Sequence, residues 1–532
     1  MTLTIKQQSA MVSTTGQIAP EDMTQIRASG FRTIIINRPD AEAGGLHAQS
    51  ESVRRAAADN GLTAVYLPVI PGAISDEQAA AFAAAVAASP GPVLAYCASG
   101  NRSASLVARS GLAGVERNTP AAPPVVAGPI FDVVIIGAGA AGVGVASSLL
   151  RRRPQLSIGL VDPSETHSYQ PAWTLVGAGA YEVGDTVRAM KSVIPAGVTW
   201  LKTSASKMMP GSKEVLLADG QVLRYGQLIV CPGLRLAWER IEGLESTLGQ
   251  NGVTSNYRRD LAPYTWELVQ KLKSGKALFS QPPMPIKCAG APQKALYLSC
   301  DHWFRTGALK DIQVEFDLAG PTLFGVATFV PALMKYIEKY RAKLVFNSIL
   351  VKVDGPARTA WFDVNNADGS IVRHSRSFDM LHAVPPQVPP DFVKASELAD
   401  AAGWCEVDHT TLQSPRFPDV FSLGDVCSAP NAKTVAAVRK QVVVVAENLL
   451  AHREGKPMPR RYDGYGACPL TVEKGKVVLA EFGYGGKLLP TFPLRPDVPR
   501  RSAWWLKASV LPWVYWSLLL KGREWLTDVA RA

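Results

Sequence analysis

The sequence predicts an α/β protein built around a doubly wound dinucleotide-binding core, and three observations carry that expectation. A strand ending in Phe131-Asp132-Val133-Val134-Ile135-Ile136 runs directly into Gly137-Ala138-Gly139-Ala140-Ala141-Gly142 and an apolar helix. Asp162 closes the next strand. A smaller α/β pattern precedes this core across a Pro-rich break, and an aromatic segment with basic edges follows it. At 532 residues, 47% hydrophobic and 19% charged, the chain is too long for one core and divides into two or three domains.

Residues 1–115 form the first expected domain. Strands are predicted at 31–37, 64–69 and 93–97, alternating with helices near 20–29, 47–59 and 76–88. The last strand opens through Tyr96-Cys97-Ala98-Ser99-Gly100-Asn101-Arg102-Ser103 into a helix. The backbone N–H groups of such a loop, with Arg102, make an anion nest that stabilises a thiolate or persulfide at Cys97. Ser75-Asp76-Glu77-Gln78 reads as a capping box, so Asp76 is not taken as a catalytic acid.

A linker is expected over 116–130, clearest at Asn118-Thr119-Pro120-Ala121-Ala122-Pro123-Pro124. The dinucleotide-binding domain is assigned to 131–254 and 376–460. Its glycines Gly137, Gly139 and Gly142 allow a tight turn and close backbone approach, and the helix N-terminus faces the pyrophosphate. Asp162 takes the ribose hydroxyls. The chain leaves this domain for a second Rossmann-like block over 255–375 and returns near Phe421-Ser422-Leu423-Gly424-Asp425. In that second block the strand Ile312–Leu318 is followed by Ala319-Gly320-Pro321-Thr322-Leu323-Phe324-Gly325. Two glycines at that spacing do not make a nicotinamide fingerprint, so a smaller electron donor is expected.

The formal charge of +11 comes from scattered Lys and Arg with no nucleic-acid-binding motif, which argues against a nucleic-acid partner. Seven cysteines, at 97, 231, 288, 300, 405, 427 and 468, show neither CxxC pairs nor scaffold spacing. That pattern suits a reducing compartment in which any disulfide is catalytic. No His/Cys cluster supports a metal. Cys231, Cys300, Cys405 and Cys468 read as structural thiols. The first residues carry no signal pattern. In the last region, 461–532, Trp504, Trp505, Trp513, Tyr515 and Trp516 surround a leucine-rich stretch bounded by Lys507 and Lys521. Its longest apolar run, Ala508–Leu520, falls short of the roughly 20 residues of a spanning helix. It reads as an amphipathic, monotopic membrane segment broken in two by Pro512, with a core helix or a dimer contact as the alternatives.

Beyond these local signals, residues 131–525 resemble the sulfide:quinone oxidoreductases of the mitochondrial-type branch. The strings that carry the resemblance are Tyr169-Gln170-Pro171-Ala172-Trp173, Pro285-Ile286-Lys287-Cys288-Ala289-Gly290-Ala291-Pro292-Gln293-Lys294 and Gly424-Asp425-Val426-Cys427. Lys433-Thr434 and the stretch from Tyr462-Asp463-Gly464-Tyr465 to Cys468-Pro469-Leu470 complete them. The resemblance implies two Rossmann-like domains of a disulfide-reductase-type flavoprotein, with a redox-active pair of Cys288 and Cys427 bridging sulfur beside FAD. Val426 is a departure, since the family's second cysteine is expected immediately after Gly-Asp. Lys287 and a helix beginning near Asn431 are expected to lower the pKa of the two thiols. Position by position, the resemblance places Ala140, Ala141, Asp162, Gln170 and Ala205 on FAD. Gly424 and Asp425 fall at the ribityl or pyrophosphate, and Lys433 at the pyrimidine end of the flavin.

Residues 5–113 are similar to the phosphatase-like domain of beta-lactamase-hydrolase-like proteins. Four residues separate Cys97 from Arg102, the spacing of rhodanese-type sulfurtransferases rather than of tyrosine phosphatases. A sulfurtransferase is therefore preferred over a phosphatase or an inactive domain. The resemblances together imply FAD-dependent oxidation of hydrogen sulfide with transfer to a quinone. Sulfane sulfur would pass as a cysteine persulfide to a small thiol or sulfite, with Cys97 a candidate carrier. A peripheral position on the cytoplasmic face of a bacterial inner membrane is expected, and a homo-oligomer is compatible with it. The rival readings are a type II NADH:quinone oxidoreductase and a non-enzymatic sulfide-sensing flavoprotein.

Overall fold

The computed structural model describes residues 5–9, 11–42, 49–70, 74–89, 91–112 and 126–531. The chain forms two compact units, residues 1–124 and 125–532. The expected proline-rich stretch 118–124 lies outside the described residues.

The first unit is a five-stranded sheet in the order Lys6–Gln7, Val12–Thr15, Val93–Tyr96, Thr33–Ile36, Thr63–Tyr66. All its pairs are parallel except the first. Ile34, Ile35, Leu94 and Ala95 are fully buried, because the helices Met23–Ala28, Ser50–Asp59, Asp76–Ala87 and Asn101–Arg109 cover the central strands. The Val12–Thr15 strand was not expected from the sequence, since its Ser-Thr-Thr composition hides a buried strand. The capping box at Ser75 is present. Gln78 N–H donates to Ser75 Oγ at 3.1 Å and Ser75 N–H to Gln78 Oε1 at 3.0 Å.

In the second unit the first sheet runs Val198–Leu201, Ile158–Val161, Val126–Ile136, Gln221–Val230, Glu214–Leu217, Ala205–Met209, and Val420–Ser422 lies against Gln221–Val230. The strand leading into the glycine turn begins at Val126, so residues 126–130, expected as linker, are already paired with Gln221–Arg224. The helices Ala140–Arg152 and Val435–Arg453 pack together on this sheet. A second sheet, wholly parallel, has the order Val253–Thr254, Met380–His382, Gly275–Gln281, Ile312–Leu318, Lys343–Phe346. Met380–His382 therefore belongs to the second sheet, and the return to the first comes after it.

The strand of the second sheet equivalent to a fingerprint strand is Gly275–Gln281, because it leads into the helix Ala291–Thr306. The sequence reading had taken Ile312–Leu318, which is the next strand along. The connection from Gly275–Gln281 carries Pro282, Pro283, Pro285 and Cys288, with Gly290 the one glycine.

An antiparallel hairpin, Gly466–Glu473 with Lys476–Phe482, follows, and then a helical segment over Arg501–Lys521. Pro512 does not break that segment in two. Wider π-helical stretches, Leu506–Val510 and Val514–Leu518, flank it and keep the backbone helical across the residue that lacks an N–H. Tyr515, Trp516, Leu519 and Leu520 pack into the core of the first sheet's helices. Burying each such side chain contributes about 1.5–3 kcal/mol.

Candidate active site

A cavity of about 790 Å³ opens from the glycine turn to the second sheet and the C-terminal segment. Gly137 takes φ +100°, and a Cβ there would come within 2.5 Å of the Cys231 carbonyl oxygen. At Gly139 an added Cβ would meet no atom within 4 Å, so the backbone lies open to the cavity. Gly142 does not line the cavity. Its missing Cβ lets the helix sit against the Gly137 carbonyl, a packing role rather than a ligand contact. Asp162 accepts the Ala138 N–H at 2.7 Å and the Ser164 N–H at 2.8 Å, and still faces the cavity with free lone pairs.

Ala140, Ala141, Gln170, Gly424, Asp425 and Lys433 also line this cavity. Ala205 does not; it is buried with Val134 and Val161 at the start of its strand, beneath the sheet. Lys433 is 7% exposed, with its ammonium donating to the Cys427 carbonyl at 2.9 Å and lying 4.6 Å from the Trp404 ring centre. Burial pushes the Asp425 carboxyl up, against the pull of Lys433 and Lys287. Lys287 donates to Gln170 Oε1 at 2.7 Å, and burial lowers its pKa despite Asp425 and Cys288 nearby.

The thiol pair differs from the expected one. Cys288 Sγ lies 3.8 Å from Cys468 Sγ. Cys427 is fully buried under the first sheet, outside the cavity lining, and its thiol donates to the Gly424 carbonyl at 3.2 Å. Burial raises the Cys427 pKa, and the nearest helix begins only at Val435, capped by Thr434, rather than near Asn431. Val426 beside it fills the core beneath the strand. Cys468 comes instead from the hairpin strand Gly466–Glu473, which packs on the helix Ala291–Thr306. Gly290 makes that approach possible, since a Cβ there would overlap Leu470 and sit 3.1 Å from Cys468 Sγ.

Cys288 adopts a left-handed backbone, φ +51°, a conformation disfavoured for a residue with a side chain. Tyr257 Oη donates to the Lys287 and Cys288 carbonyls at 3.0 and 3.3 Å, and Cys288 N–H donates to the Lys433 carbonyl at 2.9 Å. The Cys468 thiol donates to Cys288 sulfur, and the Lys294 ammonium lies 2.9 Å from it. Together they hold Cys288 well below the usual thiol range despite burial. The proton stays on Cys468, whose pKa is raised well above the ordinary value by its bond to Cys288 and by burial. The cation in contact is thus Lys294, one helical turn into Ala291–Thr306, and not Lys287. Lys507, 6% exposed on the C-terminal segment, also faces the cavity; burial and the Lys294 charge push its pKa down to about 7. The sequence held a signal for Cys468 and Lys294, since both lie within the strings that carry the resemblance.

In the first unit, Cys97 is buried and its sulfur accepts the Gly100 N–H at 3.2 Å. Burial raises its pKa, but the N–H groups of Ser103, Ser99 and Arg102 outweigh that, and the thiol titrates below its ordinary value. The Arg102 guanidinium does not complete the nest. It donates to the Glu42 carboxylate at 2.7 and 2.8 Å and to the Val69 carbonyl at 2.7 Å.

At the C-terminal segment, Trp505 and Trp513 are 64% and 54% exposed. Leu506, Leu511 and Val514 turn inward to the cavity, and Trp525 and Leu526 stand at its rim. Among the described residues no helix is long and apolar enough to cross a membrane.

A family model for the phosphatase-like domain of beta-lactamase hydrolase-like proteins matches residues 5–113, and one for pyridine nucleotide-disulphide oxidoreductases matches 131–281. The mitochondrial sulfide:quinone oxidoreductase of Dictyostelium discoideum is 39% identical over 398 residues, covering 74% of this chain and 87% of that protein. The mitochondrial sulfide:quinone oxidoreductase of Mus musculus is 36% identical over 392 residues with the same coverage. The X-ray structure of the sulfide:quinone oxidoreductase from Aquifex aeolicus superposes with a TM-score of 0.61 at 17% identity. It covers 74% of this chain and 92% of its own, so the fold is shared.

Proposed function

The chain belongs to the sulfide:quinone oxidoreductase family, and from that premise we propose that it oxidises hydrosulfide and delivers the electron pair through FAD to a quinone. The observation that carries this reading is Cys288 at the wall of the dinucleotide cavity, with Lys294 on its sulfur and the buried Cys468 sulfur 3.8 Å behind it. The residues present fit FAD. Gly139 leaves backbone open where the pyrophosphate would bind, Ala140 and Ala141 begin the helix that would lie behind it, and Asp162 would take the ribose. Gln170, Gly424, Asp425 and Lys433 line the far part of the cavity, where the flavin would lie. When bound, FAD supplies the acceptor for the sulfide electron pair and the donor to quinone.

The rest of the chemistry belongs to the chain's own sulfurs. In the oxidised enzyme Cys288 and Cys468 are bridged. Hydrosulfide attacks the Cys468 sulfur, a new S–S bond forms there, and the bond to Cys288 breaks with its electron pair. Cys288 is the better leaving group because Lys294 stabilises its thiolate. Cys468 is left as a persulfide. Transfer of its outer sulfur to a small thiol or sulfite leaves two reduced cysteines, and their loss of two electrons restores the bridge. The place a nicotinamide fingerprint would occupy is filled by the proline-rich Cys288 loop, which favours sulfide over NADH as donor.

The exposed Trp505 and Trp513, with Arg501, Lys521 and Arg523, would seat the C-terminal segment on an anionic membrane surface. Trp525 and Leu526 at the cavity rim then open toward the bilayer, the source of a lipid-soluble quinone.

For the first unit, a sulfurtransferase is favoured over a phosphatase by one observation. The Arg102 guanidinium is neutralised by Glu42, which leaves a nest suited to a thiolate or persulfide but short of the charge a phosphate dianion requires. Cys97→Ser should abolish transfer from an added sulfane-sulfur donor to a thiol, assayed without sulfide or quinone, while sparing sulfide-dependent quinone reduction; unchanged transfer would count against this role.

The main test is rapid mixing of the flavoenzyme with sulfide and, separately, with NADH. Flavin bleaching by sulfide and not by NADH is the expected result. Bleaching by NADH alone would replace this function with a nicotinamide-dependent one.

A further inference from the structure

The C-terminal segment reaches the glycine turn through a chain of two hydrogen bonds. His167 is 2% exposed. Its Nδ1 lies 3.0 Å from the Ala138 carbonyl oxygen, and its Nε2 lies 2.6 Å from Tyr515 Oη. A carbonyl only accepts, so Nδ1 carries the proton, Nε2 is bare, and the Tyr515 hydroxyl donates to it. Ala138 is the residue between Gly137 and Gly139, and its own N–H donates to Asp162 Oδ2 at 2.7 Å. Its peptide is therefore held on one side by the expected ribose ligand and on the other by His167.

Tyr515 is itself firmly placed. Its ring centre is 4.7 Å from Tyr169, which precedes Gln170, and 5.0 Å from Trp516. Trp516 lies under the Arg188 guanidinium at 4.2 Å. Further along, Ser147 Oγ donates to the Leu520 carbonyl at 2.7 Å, and Glu524 pairs with Arg152 at 2.7 Å. Leu519 lies against Gly144, where a Cβ would approach it to 3.2 Å. The Ser147, Arg152 and Gly144 contacts join the C-terminal segment to the dinucleotide helix, and the Tyr169 contact joins it to the residues before Gln170.

We propose that Tyr515, acting through His167, is a positioning residue for the dinucleotide turn, so that the C-terminal segment braces the flavin site as well as facing the membrane. This rests on FAD occupying the cavity. Removing the Tyr515 hydroxyl leaves His167 Nε2 buried without a donor and frees the Ala138 carbonyl to shift. The loss of one buried hydrogen bond corresponds to about a three- to tenfold weaker FAD affinity.

The experiment strips FAD from the full-length protein with chaotropic salt and measures rebinding by flavin fluorescence. Tyr515→Phe and His167→Leu should bind FAD three- to tenfold more weakly. His167→Gln should retain wild-type affinity, because its amide can donate to Ala138 and accept from Tyr515. Ser147→Ala removes an anchor of the same segment that lies off the chain and should leave FAD affinity unchanged. Wild-type affinity in both Tyr515→Phe and His167→Leu would overturn the proposal, as would equal weakening by Ser147→Ala. Failure of the wild-type protein to bind FAD at all would instead remove the functional reading on which it rests.

Discussion

The sulfur of Cys288 lies 3.8 Å from the sulfur of Cys468, across 180 residues of sequence, while Cys427 points its thiol at a backbone carbonyl. Cys288→Ser and Cys468→Ser should each lower sulfide-dependent quinone reduction by roughly a thousandfold, since members of one redox unit fail together. Cys427→Ser should keep turnover within about threefold and lose about 1 kcal/mol of stability, because serine can still donate to Gly424. Steady-state assays and thermal melts separate these outcomes.

Lys294 sets the charge on Cys288. Lys294→Met removes an ammonium 2.9 Å from the thiolate and raises the pKa of Cys288. At pH 7 the thiolate fraction falls, so turnover and alkylation by iodoacetamide should both slow and recover as pH is raised. A pH profile of Cys288 alkylation identical to wild type would exclude Lys294 from this role.

Gly290 is the point at which the hairpin meets the sulfur loop. Gly290→Ala places a methyl group against Leu470 and Cys468, which must move away. Overpacking of this kind destabilises by about 1–3 kcal/mol. Turnover should fall further than the melting temperature alone explains, because the two sulfurs are pushed apart.

Acid should release the cofactor. Burial lowers the pKa of His167 from its ordinary value of 6.5 to about 4, with the Ala138 bond and Asp162 opposing that shift. A histidine with a depressed native pKa contributes stability that is complete above about 6.5 and lost as pH falls through about 4. Protonation also puts a proton on Nε2, which then competes with the Tyr515 hydroxyl. FAD release, followed by fluorescence, should rise as pH falls through about 4 in wild type and should be flatter in His167→Gln.

Membrane attachment depends on the exposed tryptophans. Trp505→Ala with Trp513→Ala should reduce co-sedimentation with anionic vesicles about tenfold or more, and wild-type binding should weaken as salt is raised. Equal sedimentation of the double variant would reassign those residues to another surface.

The local signals were readable from the chain because they are local. The glycine turn at 137–142 and Asp162 lie within one strand–helix–strand unit, where spacing alone fixes geometry. The Ser75 capping box spans four residues and forms as written. The identity of the second thiol was not readable in this way. Cys427 and Cys468 both lie within the strings that carry the resemblance, and only the packing of the hairpin on the Ala291–Thr306 helix, across Gly290, brings Cys468 beside Cys288. Ala205 was likewise misplaced, since a strand residue can face the cavity or the core and sequence position does not say which. Pro512 was expected to end a helix, but a widened helical register absorbs its missing N–H.

Sequence alone determined that this chain turns a strand into a dinucleotide-binding helix, carries a thiol-bearing loop between two further elements, and ends in an amphipathic aromatic segment. Each of these is written in residues that are neighbours along the backbone. Tertiary structure alone decided which sulfur meets Cys288, which lysine charges it, and that Tyr515 reaches Ala138 through His167. Those partners lie tens to hundreds of residues apart, and the contacts exist only because burying the apolar faces of the helices and the hairpin forces them together.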